Sequence, residues 1–223
     1  MEFKQKLAEL FTKGRVEVYR PGDLILLKGA VADDVRLIRS GWAQVTDPHH
    51  DGSETVLDLR CRGELLGDTG VLGGRPRNAN VRAVRRTVTV AVGGRQFLAF
   101  IRQHDLLDQL LLSAHDHHLA ANRLTGARPF GAVVGASRLL LDLSRRYGSP
   151  TLHGITQKAI VGLLGVSVPT LRKAVADLST CGAVRANWPS IEIRDQAALR
   201  ETARLDDSIA KARSEKARTR ARS

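Results

Sequence analysis

Cysteine is nearly absent from the 223 residues, with only Cys61 and Cys181 present. Two thiols so far apart exclude a Cys-ligated zinc or iron–sulfur centre and a disulfide framework, and a reducing cytoplasm is the expected setting. No apolar run approaches the length that spans a bilayer, and the opening MEFKQKLAELFTKG lacks the apolar core of a secretion signal, so no membrane partner is expected. There is no internal repeat. Acidic residues are in deficit, 23 against 35 Lys and Arg, which leaves a formal net charge of +12. Such a surface attracts polyanions, which by charge alone makes nucleic acid or an anionic membrane surface the leading partner and acidic substrates a weaker one.

What is there changes texture along the chain. Phe3, Leu7, Leu10 and Phe11 have the spacing of one short amphipathic helix. From Val16 to Phe97 short apolar or alternating runs follow one another: 16–19, 24–27, 35–38, 42–45, 56–59, 81–84 and 88–92. Turn signals such as Arg20-Pro21-Gly22-Asp23, Ser40-Gly41 and Asp51-Gly52 separate them. Many short, evenly spaced strands predict a β barrel or jelly roll. Around Gln96 the period becomes helical, and Leu107, Leu110, Ala114, His117, Ala121 and Leu124 follow a 3-4-3-4-3 spacing. That spacing fits a coiled-coil-like dimer seam, and it equally fits a helix lying on its own barrel. Arg128-Pro129-Phe130-Gly131 breaks the helix and marks a hinge. A second helical region, 133–147, leads through Gly148-Ser149-Pro150 into a last compact unit ending near Asp195. The remainder is rich in Ala, Arg and Lys and reads as a frayed helix or disordered basic tail.

Residues 155–178 read ITQKAIVGLLGVSVPTLRKAVADL. Thr156 is a good N-cap, Ala159, Ile160, Leu163 and Leu164 form the buried face of a first helix, and Gly165 supplies a turn. Ser167 caps a second helix that carries Pro169 in its first turn. Val166, Leu171, Val175 and Leu178 make its core face. Helix, short glycine turn and helix is the helix-turn-helix arrangement, whose second helix enters the DNA major groove. Two short runs, 182–185 and 190–193, flank Asn187-Trp188-Pro189 and look like a β wing.

Four features in this order resemble the cyclic-AMP receptor protein and fumarate-nitrate regulator (CRP/FNR) family: a barrel opening RPGDLILLKG, a phosphate-cassette-like GELLGDTGVLGGRPRNANVRA (63–83), a long helix, and a helix-turn-helix with a wing. The resemblance spans roughly residues 14–195. It implies an α+β chain with an N-terminal cyclic-nucleotide-binding-like jelly roll (1–103), a dimerisation helix and hinge (104–131), a winged helix-turn-helix (132–195) and a basic tail (196–223). It also implies a homodimeric, non-enzymatic transcription regulator reading palindromic double-stranded DNA, with RNA polymerase as a further partner. On the family's frame the effector would be a cyclic nucleotide or cyclic dinucleotide. Asp68 stands where a ribose-binding glutamate is expected, Arg77 where an arginine pairs with the cyclic phosphate, and Asn78 where a serine donates to it. Gly67 and Thr69 lie beside them, and Arg123 stands where a threonine reaches the base.

The recognition helix departs from the family pattern, since Val168 and Pro169 replace a base-reading arginine and glutamate. The DNA-facing set expected here is therefore Thr156, Ser167, Val168, Thr170, Arg172 and Lys173. Several alternatives stand beside this reading. Arg75 and Arg77 could be solvated loop charges and Asp68 a helix cap, giving a ligand-independent regulator of the same fold. His115, His117 and His118 could make a metal- or haem-sensing one. A cupin-type enzyme would need a cluster of barrel histidines that the sequence lacks, and a purely architectural basic protein would need phosphate contacts alone.

Overall fold

The computed structural model describes residues 2–115 and 131–204. The chain divides into two compact units, residues 1–121 with 154–163, and 122–153 with 164–223. Each is described by itself. This division departs from the boundaries expected from sequence, because it assigns 154–163 to the first unit.

The first unit opens with α1 (Glu2–Leu10) and a single 3-10 turn, Phe11–Lys13. Eight strands follow: β1 (Arg15–Tyr19), β2 (Leu24–Leu26), β3 (Asp34–Ser40), β4 (Trp42–Pro48), β5 (Glu54–Cys61), β6 (Leu65–Leu66), β7 (Asn80–Ala83) and β8 (Thr87–Gly93). They form two four-stranded sheets, ordered β1-β8-β3-β6 and β2-β7-β4-β5. Every pairing is antiparallel, as expected of strands joined by short turns. Seven of these strands coincide with the alternating runs in the sequence. The two-residue β6 and the short helix α2 (Asp68–Gly73) do not, being too brief to show a period.

One core of this unit gathers Leu7, Leu10, Phe11, Val35, Val90, Val92, Phe97 and Ile101. Phe97 and Ile101 come from α3 (Gly94–Gln103), an amphipathic helix whose apolar side closes that end of the barrel. A turn at His104-Asp105, where Asp105 takes φ +51°, ends α3. A new helix, α4, then occupies residues 107–115. Leu106 and Leu110 are buried in the same core as Phe97 and Ile101. Leu110, read from spacing as a seam residue, therefore faces its own barrel.

The outward side of α4 carries Leu107, Leu111 and Leu112, exposed by 46, 53 and 65%. The helix has two apolar sides, and a 3-4 count begun at Leu107 crosses from one to the other. Ala114 is half-buried. His117, Ala121, Arg123 and Leu124 lie outside the described residues.

The second unit contains α5 (Ala132–Tyr147), β9 (Thr151–His153), α7 (Val168–Thr180), β10 (Val184–Asn187) and β11 (Ser190–Ile193). Its core is Ala136, Leu139, Leu140, Leu143, Leu152, Leu171, Ala174, Val175, Leu178, Val184 and Ile191. The hairpin β10–β11 is joined by β9, which pairs with β11 in a three-stranded sheet, order β10-β11-β9. Of the two readings for the start of the tail, a frayed helix or a disordered segment, the described residues take the helical one. Residues 196–204 form a helix, α8. The Asp195 carboxylate accepts from the Ala197 and Ala198 amides at 2.8 and 3.0 Å, Leu199 is fully buried, and Arg138 Nε donates to Ala203 O. One N-cap and one buried leucine suffice to hold a helix that composition alone made look solvated.

Candidate effector cavity and nucleic-acid interface

A cavity of about 320 Å³ opens in the first unit, at the lower end of the range typical of small-ligand sites. Its apolar lining includes Leu26, Val45, Leu65, Leu66 and Val81, and its polar lining includes Asp58, Arg60, Asp68, Thr69, Arg77 and Asn78. Gly67, Gly70 and Ala114 complete it among others. Five of the six residues expected at an effector site, Gly67, Asp68, Thr69, Arg77 and Asn78, thus share one cavity, and Arg123 is the one outside the described residues.

The geometry around Arg77 follows from local sequence. Gly67 takes φ +79° and starts α2; Gly74, at φ +57°, ends it. Both conformations strain any residue with a Cβ. Pro76 then lifts the chain so that Arg77 pairs its backbone with the 29–30 turn, donating to Ala30 O at 2.9 Å and accepting from Gly29 N at 2.8 Å. The guanidinium is turned inward and is only 5% exposed. Nη1 donates to Gly67 O at 2.7 Å, while Nη2 donates to Asp34 O at 2.7 Å and Asp34 Oδ1 at 2.5 Å. Nε is buried and has no hydrogen-bond partner among the described residues. A buried donor left in that state costs about 1–3 kcal/mol. Arg77 is thus no solvated loop charge, whereas Arg75 is exposed. Asp68 does not cap α2 either, because Gly67 is the N-cap and no side chain caps it.

Asp34 carries a second cation. Its Oδ2 lies 2.9 Å from Arg36 Nη2, and Arg36 Nη1 in turn meets Glu17 and the Tyr19 hydroxyl. Tyr19 also donates to Glu17. Burial and the Glu17 partner push the Tyr19 phenol up to about 12, so it remains a donor through the neutral range. Burial alone would raise Glu17, but the bonds from Tyr19 and Arg36 hold it below the usual carboxylate value. Asp34 is not legible as part of the site, since it stands on β3, 43 residues from Arg77 in its loop.

A methyl group at position 67 would lie 2.2 Å from Arg77 Nη1. Gly67→Ala is therefore expected to lose about 1–2 kcal/mol from the left-handed backbone alone, and also to push Arg77 off its carbonyl. Thermal melts should fall by about 2–4 °C per kcal/mol. An unchanged melting temperature would mean that Arg77 does not rest on Gly67.

The nucleic-acid candidate is α7, which α6 (Gln157–Leu164) precedes in the chain. Thr156 Oγ1 accepts from the Ala159 amide at 3.2 Å and caps α6. Gly165, at φ +65°, follows Leu164 and ends α6. Ser167 is the N-cap of α7, accepting from Thr170 N at 3.3 Å and bonding Thr170 Oγ1 at 2.8 Å, with Pro169 in the first turn. Leu171, Ala174, Val175 and Leu178 face inward, as their spacing requires. Ser167, Thr170, Arg172 and Lys173 are exposed, and Thr156 and Val168 are half-buried. No single helix among the described residues is long and apolar enough to cross a membrane. Nor do three His, Cys, Asp or Glu side chains among them gather into a metal-holding group.

Known proteins share this architecture. Residues 16–104 match the cyclic nucleotide-binding domain model. The chain is 28% identical over 191 residues to the cyclic AMP receptor protein of Thermus thermophilus, covering 83% of this chain and 87% of that one. It is 25% identical to a CRP-like cAMP-activated global transcriptional regulator of Mycobacterium tuberculosis, over 82% and 85% of the two chains. The structure of FixK2 from Bradyrhizobium japonicum superposes with a TM-score of 0.71 at 17% identity, over 85% of this chain and 96% of that one, which shows a common fold. The class is therefore that of effector-domain proteins with a cyclic-nucleotide-binding jelly roll and a helix-turn-helix. Over most of its length the chain is similar to CRP-like transcription regulators.

Proposed function

We propose that the protein is a homodimeric transcription regulator that reads a palindromic duplex through α7 and is controlled by a nucleotide-like effector in the barrel cavity. The observation that carries DNA reading is α7 itself. Its N-terminal turns carry the exposed Thr170, Arg172 and Lys173, capped by Ser167, as a recognition helix requires. The net charge of +12 supplies the sequence-independent part of the affinity. Val168 has no side-chain hydrogen bond to offer and would meet a thymine methyl, leaving base reading to Arg172, Lys173 and Thr170. RNA polymerase is the further partner and the cytoplasm the site of action. The relatives that match along most of the chain are regulators, so no catalysis is assigned.

The effector half rests on Arg77, a buried guanidinium at the cavity wall with an unmet Nε–H. An anion entering there would satisfy a donor that the protein leaves unsatisfied. The dimer half rests on the outward leucines of α4. Leu107 and Leu111, one turn apart, form the seam in place of Leu110.

The test of DNA reading is competition binding at fixed salt with Arg172→Ala and Lys173→Ala. Each is expected to cost about 1–3 kcal/mol on the palindrome and far less on random duplex. Equal losses on both would assign these cations to phosphates alone, and no loss on either would remove α7 as the reading element.

A further inference from the structure

β5 bears a charged pair on the wrong face for a solvated strand. Across the sheet β2-β7-β4-β5, Leu26 is paired with Val81, Val81 with Val45 and Val45 with Asp58; one step along, Ala83, Ala43 and Arg60 make a second row. Leu26, Val81, Ala83 and Ala43 belong to the buried inner cluster, and Val45 packs against it. By the period of two, Asp58 and Arg60 share that inner face, and both line the cavity. Their side chains are 14 and 20% exposed, with Arg60 Nε 2.9 Å from Asp58 Oδ2. Asp58 Oδ1 also accepts from Leu59 N at 2.8 Å, which fixes the carboxylate.

Holding a cation at the wall of a partly apolar cavity costs desolvation that an aliphatic residue would avoid. Arg60 Nε pairs with Asp58 by charge, without hydrogen-bond geometry, and like Arg77 Nε it is a buried donor with no hydrogen-bond partner among the described residues. Arg60 stands on the edge strand β5, whereas Arg77 is joined to the turn that follows β2, at the other edge of the same sheet. Three strand spacings of about 4.8 Å separate those edges. The cavity thus has two cationic poles, and one of them, Arg77, already suits a phosphate.

We infer that Arg60, oriented by Asp58, reads the base of the effector and selects guanine over adenine. This rests on the reading of the cavity as a nucleotide site. Guanine offers two adjacent acceptors, O6 and N7, that match the fork of an arginine, whereas adenine sets an amino group where O6 would be and meets the guanidinium donor against donor. The volume of about 320 Å³ suits one nucleotide, so the ligand class is a guanine mononucleotide with an anionic phosphate.

The experiment is calorimetry of the full chain with cyclic GMP and cyclic AMP. Wild type should bind cyclic GMP roughly ten- to a hundredfold more tightly than cyclic AMP. In Arg60→Leu that ratio should fall to about one. Arg60→Lys keeps the ion pair with Asp58 but lacks the fork, guards against misfolding of the first variant, and should lower the ratio in the same direction. A wild-type preference for cyclic AMP, or a cyclic-GMP preference that survives both substitutions, overturns the inference while leaving the nucleotide site standing if Arg77→Ala weakens both ligands. Binding of neither nucleotide overturns the inference together with the effector reading beneath it.

Discussion

Leu107→Glu combined with Leu111→Glu is expected to turn the dimer into a monomer and to lower affinity for a palindromic duplex by roughly two to four orders of magnitude. Both leucines stand on the outward side of α4, exposed by 46 and 53%, while Leu106 and Leu110 anchor the helix to its own barrel. Carboxylates at 107 and 111 therefore leave the fold intact. In a two-fold seam each would meet its like, because an isologous interface juxtaposes the same patch from both copies. Once the seam is lost, the second half-site is no longer presented at an effective concentration near millimolar, and that factor accounts for the expected loss. Sedimentation at micromolar concentration checks the first step and duplex titration the second. Leu110→Glu is expected to behave differently: it should unfold the barrel core, since it places a charge where 2% exposure leaves no water. A double variant that stays dimeric would place the seam elsewhere.

Arg77→Ala is expected to cost about 2–3 kcal/mol of stability and to abolish nucleotide protection. Breaking a buried ion pair by removing one partner commonly costs about 3–5 kcal/mol. Here Asp34 keeps Arg36 at 2.9 Å, so the penalty should fall short of that range. Against it also stands the release of an unsatisfied Nε. In wild type, nucleotide at a hundred times its dissociation constant should add about 2.7 kcal/mol; in the variant it should add nothing. Thermal melts with and without cyclic nucleotide separate the two effects. Equal protection of both proteins would mean that the anion sits away from Arg77.

Most of the fold was visible in the sequence because its strands alternate and its caps are chemically distinct. Seven runs became strands within a few residues of their expected limits, and Thr156, Gly165, Ser167 and Pro169 each took the local role their chemistry suggested. What was hidden depends on pairing at a distance. Asp34 as the partner of Arg77 has no local signature. Asp58 and Arg60 alternate with Leu57, Leu59 and Cys61, a pattern that suggests a solvated face, yet here both faces of β5 are covered, with Leu59 and Cys61 fully buried on one and the cavity on the other. The seam was misjudged at Leu110 because adjacent leucines give α4 two apolar sides with the same period. Sequence alone leaves α8 as one of two readings because a single buried leucine, Leu199, holds it.

Selection of bound sequences from a pool of random duplexes, using the full-length protein at fixed salt, tests the central claim most directly. The expected result is an enriched motif with two-fold symmetry, its half-sites about 10–10.5 bp apart centre to centre, which blurs when Arg172→Ala and Lys173→Ala are combined. A bound pool with no symmetric motif, indistinguishable from the starting pool, would contradict it and leave a basic protein that holds DNA by its phosphates alone.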